Sequence, residues 1–138
     1  GRKVKEKDPD MLEGVRKIIC LVNEAWRELK KPNWSPERTG GYMNENQRLL
    51  REYLRVSTFE IEELIYAALK AGALGAKLTG AGGGGCIIAF TSPEDQSKVA
   101  KSIEGAGGRV YLTDIANQGA RIEDIKVFGY VRYPFAKR

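Results

Sequence analysis

Six consecutive residues, Gly80-Ala81-Gly82-Gly83-Gly84-Gly85, hold five glycines, and this tract constrains the chain more than any other feature. Glycine has more backbone freedom to lose on folding than any other residue, so such a run inside an ordered sequence needs a physical reason. Two reasons are available: several residues must take positive φ, or a ligand must come so close to the backbone that no Cβ fits. Consecutive N–H groups in such a turn form a concave site for an anion, phosphate above all. A plain flexible hairpin needs only one or two glycines at defined positions and explains less of the tract.

The flanks narrow the kind of loop. Gly80, Gly82 and Gly85 formally match Gly-x-Gly-x-x-Gly, but that fingerprint follows a strand and opens a helix. Here the apolar, β-branched run Cys86-Ile87-Ile88-Ala89-Phe90 follows, which reads as a strand. A Walker A loop needs Lys-Ser or Lys-Thr after its last glycine, and here Lys77 precedes the tract. The residues themselves therefore specify an anion-accommodating loop between two strands, Ala76 to Thr79 and Cys86 to Phe90, with Lys77 and Thr79 beside it.

Upstream, Met11, Leu12, Val15, Ile18, Ile19, Val22, Ala25, Trp26 and Leu29 recur at helical spacing, predicting one amphipathic helix from Pro9 to Leu29 with Asp8 as its cap. Pro32, Pro36, Gly40 and Gly41 interrupt the pattern, so the next helix is expected from about Tyr42 to Leu54. Ser57-Thr58-Phe59-Glu60 has capping-box spacing before a third helix with Ile61, Leu64, Ile65, Ala68 and Leu69 inward. Ser92-Pro93-Glu94-Asp95 predicts a fourth helix start, with Val99 and Ile103 buried and Gly105 to Gly108 ending it. Arg109 to Ile115 and Lys126 to Tyr133 read as strands, with a short one between at Gly119 to Glu123. Helices first and strands later imply an α+β domain: helices packed on one face of a mainly antiparallel sheet, four-stranded when the short Gly119 to Glu123 run is left out.

The chain has 138 residues, 42% of them hydrophobic and 30% charged, enough for one globular core and unlike a disordered segment. Its net charge of +5 is spread over Arg2, Lys3, Lys5 and Lys7, Lys30 and Lys31, and Arg132, Lys137 and Arg138. That balance suits an anionic partner without naming one. Aromatic residues are not interleaved with basic ones, which makes nucleic acid a poor candidate. With no histidine and only Cys20 and Cys86, neither a zinc site nor a disulfide scaffold is expected, and a reducing, cytoplasmic setting fits. No stretch reaches the ~18 apolar residues of a membrane span.

The segment Lys77-Leu78-Thr79-Gly80-Ala81-Gly82-Gly83-Gly84-Gly85-Cys86 resembles the third conserved motif of the GHMP kinase superfamily, which includes galactokinase, homoserine kinase, mevalonate kinase and phosphomevalonate kinase. It is most similar to the mevalonate kinase version, in its archaeal form. Met43-Asn44-Glu45-Asn46-Gln47, Leu49-Leu50 and Val56-Ser57 are similar to the stretch preceding that motif in the same branch. The resemblance covers roughly Gly41 to Glu123 and leaves 124–138 as an atypical tail.

The resemblance implies the carboxy-terminal, ferredoxin-like domain of a kinase that uses ATP and Mg2+ to phosphorylate the mevalonate hydroxyl in isoprenoid biosynthesis. Under it, Gly80, Ala81, Gly82, Gly83, Gly84 and Gly85 close over the phosphates, and Lys77, Thr79 and Ala81 face the substrate side. Asn44 and Asn46 lie near the cleft or act as helix caps, and Cys86 is a small buried residue. No catalytic residue and no metal ligand is expected in this chain. The family's Pro-x-x-x-Gly-Leu-Gly-Ser-Ser loop and its catalytic aspartate belong to an amino-terminal nucleotide-binding domain not found in these residues, so the chain alone is expected to be inactive. Other readings are a different GHMP kinase such as phosphomevalonate kinase, a non-catalytic anion- or RNA-binding module, and a domain that dimerises through its helices.

Overall fold

A computed structural model describes residues 8–115 and 118. The order is α1 (Pro9–Leu29), α2 (Pro36–Glu52), α3 (Phe59–Lys70), β1 (Gly75–Thr79), β2 (Cys86–Phe90) and α4 (Gln96–Gly105).

Each of the first three helices starts where a short polar side chain satisfies an orphan N–H. Asp8 accepts from the Asp10 N–H at 3.0 Å, Ser35 from that of Arg38 at 3.3 Å, and Thr58 from that of Ile61 at 3.4 Å. Two of these starts correct the expectation. α2 begins at Pro36 rather than Tyr42, because Pro36 sits at its first position, where a missing N–H costs nothing. α3 is capped by Thr58 and not by Ser57, whose hydroxyl is engaged elsewhere.

β1 and β2 form an antiparallel pair in the register Gly75↔Phe90, Lys77↔Ile88 and Thr79↔Cys86. Opposed residues share a face. Ala76, Leu78, Ile87 and Ala89 therefore face α3, while Lys77, Thr79, Cys86 and Ile88 lie on the other side. Ile61, Ile65 and Ala68 of α3 pack with Ala76 and Leu78 of β1 and with Val99 and Ile103 of α4, forming the core.

α2 covers the free edge of β1 rather than a sheet face. The N–H of Ala76 donates to Asn44 Oδ1 at 3.0 Å and that of Leu78 to Gln47 Oε1 at 2.8 Å, while Asn44 Nδ2 donates to the Leu74 carbonyl at 3.1 Å. Gly40 and Gly75 make this approach feasible: a Cβ on Gly40 would collide with the Leu74 carbonyl, and one on Gly75 would lie 2.6 Å from the Gly40 Cα.

The described residues contain two strands rather than the four expected. Arg109 to Ile115 has no ladder partner among the described residues, and Tyr111, Leu112 and Ile115 are 76%, 65% and 81% exposed. A strand needs pairing as well as a buried face, and among the described residues this segment has no ladder partner and only Val110 packs against the core. The strands expected at 119–123 and 126–133, and the tail 124–138, lie outside the described residues.

α1 is helical as expected, but its apolar stripe is divided. Gly14 and Glu28 are buried and Ile18, Leu21 and Ala25 half-buried, whereas Leu12, Val15, Ile19, Val22, Trp26 and Leu29 face outward. At its far end Glu28 accepts from Lys31 at 2.7 Å and Arg38 at 2.6 Å, tying α1 to the start of α2.

Candidate functional site

The glycine tract bridges β1 and β2. Gly80, Gly82, Gly83, Gly84 and Gly85 all have positive φ, between 76° and 127°, and Ala81 does not. The composition follows from this: glycine stands at each position needing the left-handed region, and the one residue with a Cβ stands where that region is not used. Of the two reasons for the tract, backbone conformation accounts for five positions and close approach for one. A Cβ on Gly82 would come within 2.6 Å of Val56, whereas Cβ atoms on Gly80, Gly83, Gly84 and Gly85 would point into open space. That bare backbone leaves room for an anion to approach.

The loop is anchored at its centre. The Gly83 N–H donates to the Val56 carbonyl at 2.8 Å, in the connection between α2 and α3. The tract is therefore not an uninterrupted row of free donors. Arg55, beside this anchor, has φ of 54°, a conformation rare for a residue with a side chain, and it bends the chain to bring Val56 under the loop.

The structure brings Lys77 and Thr79 together on the open face of the hairpin, directly before the loop, with Ala81 exposed in it. Lys77 is half-buried and donates from Nζ to the Leu78 carbonyl at 2.7 Å. Burial holds its ammonium pKa below the ordinary lysine value. Asn44 does not cap a helix, since its amide is spent on the edge of β1. Asn46 is half-buried within α2. Cys86 is exposed rather than buried, because the register sets it opposite Thr79 on the open face. Among the described residues no three or more His, Cys, Asp or Glu side chains cluster as metal ligands.

Sequence reading missed a polar junction below the loop. Gln47, Ser57 and Glu62 converge there from α2, the connection and α3. Only the Met43-to-Gln47 run, with its density of amides, hinted at it.

The family model described as GHMP kinases C terminal matches residues 34–108, which include the α2 edge contacts, the anchor and the whole loop. The chain belongs to the GHMP kinases. Among curated relatives of this GHMP kinase segment, a mevalonate kinase from Thermococcus onnurineus is 55% identical over 124 residues, covering 87% of this chain and 36% of the relative. One from Thermococcus gammatolerans is 44% identical over 128 residues, covering 90% and 38%. The chain thus spans less than two-fifths of the relatives it matches. Among solved structures, the L. major mevalonate kinase in complex with R-mevalonate aligns with a TM-score of 0.55 at 32% identity, covering 62% of this chain and 26% of that one. A second mevalonate kinase crystal structure aligns with a TM-score of 0.53 at 31% identity, covering 75% and 34%.

Proposed function

We propose that these residues are the carboxy-terminal domain of an ATP-dependent mevalonate kinase, acting together with an amino-terminal nucleotide-binding domain. The observation that carries the reading is 55% identity to a curated mevalonate kinase across 124 residues, together with a loop whose backbone is bare toward open space. The acceptor is the mevalonate hydroxyl, the donor ATP, and the setting cytoplasmic isoprenoid biosynthesis.

Phosphoryl transfer asks a protein mainly to position the reactants and stabilise charge. Gly80 to Gly85 form one wall over the phosphates. Positive φ is built into this wall, so binding does not have to order it from a coil. Lys77 and Thr79 face the acceptor side, and the lysine brings a partly desolvated positive charge, which attracts an anionic group more strongly than an exposed one does. Ala81 leaves space where a larger side chain would crowd the acceptor. The nucleotide loop, the catalytic aspartate and the protein ligands of the magnesium that would accompany ATP would come from the amino-terminal domain.

The test is complementation. The purified chain is assayed for phosphorylation of mevalonate by ATP, alone and mixed with the amino-terminal part of the Thermococcus onnurineus relative. No turnover alone and turnover in the mixture is the expected result. A mixture that stays silent while the chain binds RNA in a salt-dependent way would favour a binding module instead.

A further inference from the structure

We propose that Glu62 is the positioning residue of the glycine loop, fixing it through Ser57 and Gln47 from beneath. The inference rests on the proposed function only for why the loop's position matters; the geometry stands without it.

Glu62 lies in the first turns of α3, where the helix N-terminus favours a negative charge. Its Oε1 accepts from Ser57 Oγ at 2.6 Å and from Gln47 Nε2 at 2.7 Å, and its Oε2 from Arg51 Nη1 at 3.0 Å. Gln47 Nε2 also reaches Ser57 Oγ at 3.0 Å. Every side chain of this junction is paired, and Gln47 is only 2% exposed.

Two routes lead from the carboxylate to the loop. The first is short: Ser57 follows Val56, whose carbonyl receives the Gly83 N–H. Holding the Ser57 side chain fixes the peptide that anchors the middle of the loop. The second runs through chemistry. An ionised carboxylate can only accept, so the Gln47 amide must turn Nε2 toward Glu62. Its Oε1 is then left facing the N–H of Leu78 in β1, the strand that enters the loop. One carboxylate therefore orients both the entry strand and the central anchor, while lying outside the loop itself.

The experiment is amide hydrogen exchange, read by NMR on the labelled chain without ligand, comparing wild type with Glu62→Gln and Ser57→Ala. Glu62→Gln keeps the shape but removes the charge and exchanges one acceptor oxygen for an N–H donor, weakening the bonds from Ser57 and Gln47, while Ser57→Ala cuts the first route and removes only one of the two partners of Gln47 Nε2. The expected result for Glu62→Gln is exchange faster by about tenfold at Gly83 and Leu78, with Ile65 and Ala68 in the centre of α3 unchanged within about twofold. Ser57→Ala should affect Gly83 more than Leu78, because Gln47 keeps its bond to Glu62. Uniform acceleration of all four amides would mean that Glu62 only supports the fold, and unchanged exchange at Gly83 would mean that it does not hold the loop. Either result overturns the proposal. Neither bears on whether the chain serves mevalonate phosphorylation, which complementation tests separately.

Discussion

Gly40 and Gly41 are neighbours in α2, yet the structure asks opposite things of them. The Gly40 position faces the Leu74 carbonyl with no room for a methyl group, whereas a Cβ on Gly41 meets nothing within 4 Å. Gly41→Ala should raise stability by about 0.5–1 kcal/mol, because alanine loses less backbone entropy in a helix. Gly40→Ala should lower it by about 1–3 kcal/mol through overpacking against β1. Urea denaturation of the two variants checks the contrast. In the loop, Gly84→Ala should cost about 1–2 kcal/mol for its positive φ alone. Gly82→Ala should cost more, since its Cβ also meets Val56 at 2.6 Å. Equal midpoints for those two variants would show that the Val56 contact is not made.

At the scale of elements, the edge of β1 is held by side chains of a helix instead of by another strand. Gln47→Leu leaves the buried Leu78 N–H without an acceptor, a loss of about 1–3 kcal/mol. Denaturant midpoints should show it, and a neutral result would mean that water or a backbone shift replaces the amide. This edge was illegible in the sequence, because nothing local tells a residue in α2 that its partner is a strand about thirty positions away. The helices themselves were legible wherever apolar spacing met a cap, as at Pro9 and the turn before Phe59. The α2 start was lost because Pro36, Gly40 and Gly41 look like breakers, although one proline stands at a first helical position and one glycine at a close crossing. The loop was the most legible feature of all. Its glycines announced positive φ, but their anchor at Val56 depends on tertiary contact and left no mark nearby.

For the molecule as a whole, the paired carboxylates predict an acid limb to its stability. Burial raises the pKa of Glu62, but hydrogen bonds from Ser57, Gln47 and Arg51 outweigh it and the net shift is downward; bonds from Lys31 and Arg38 lower that of Glu28. A carboxylate whose pKa is depressed by folding contributes stability that is present above its unfolded value, about 4.3, and is lost as pH falls through the folded one. Thermal midpoints should therefore stay level from about pH 7 to pH 5 and drop below about pH 4, less steeply in Glu62→Gln. A midpoint that does not fall on acidification would contradict the ion-paired junctions at both ends of α2.

The Glu62 junction, the β1 edge and the anchored loop are internal to the segment matched by the family model, whereas Glu28 and Lys31 precede it. The chain covers 36% of the Thermococcus onnurineus relative to which it is 55% identical, so what they serve is tested in the context of that relative. The most direct measurement replaces the corresponding carboxy-terminal part of that relative with this chain and follows ATP-dependent phosphorylation of mevalonate. The reading predicts that the chimera turns over, and that Ala81→Leu in it reduces kcat/KM by at least about tenfold, the effect of ~1.4 kcal/mol at the transition state. A folded chimera without turnover, or one indifferent to Ala81→Leu, would contradict it.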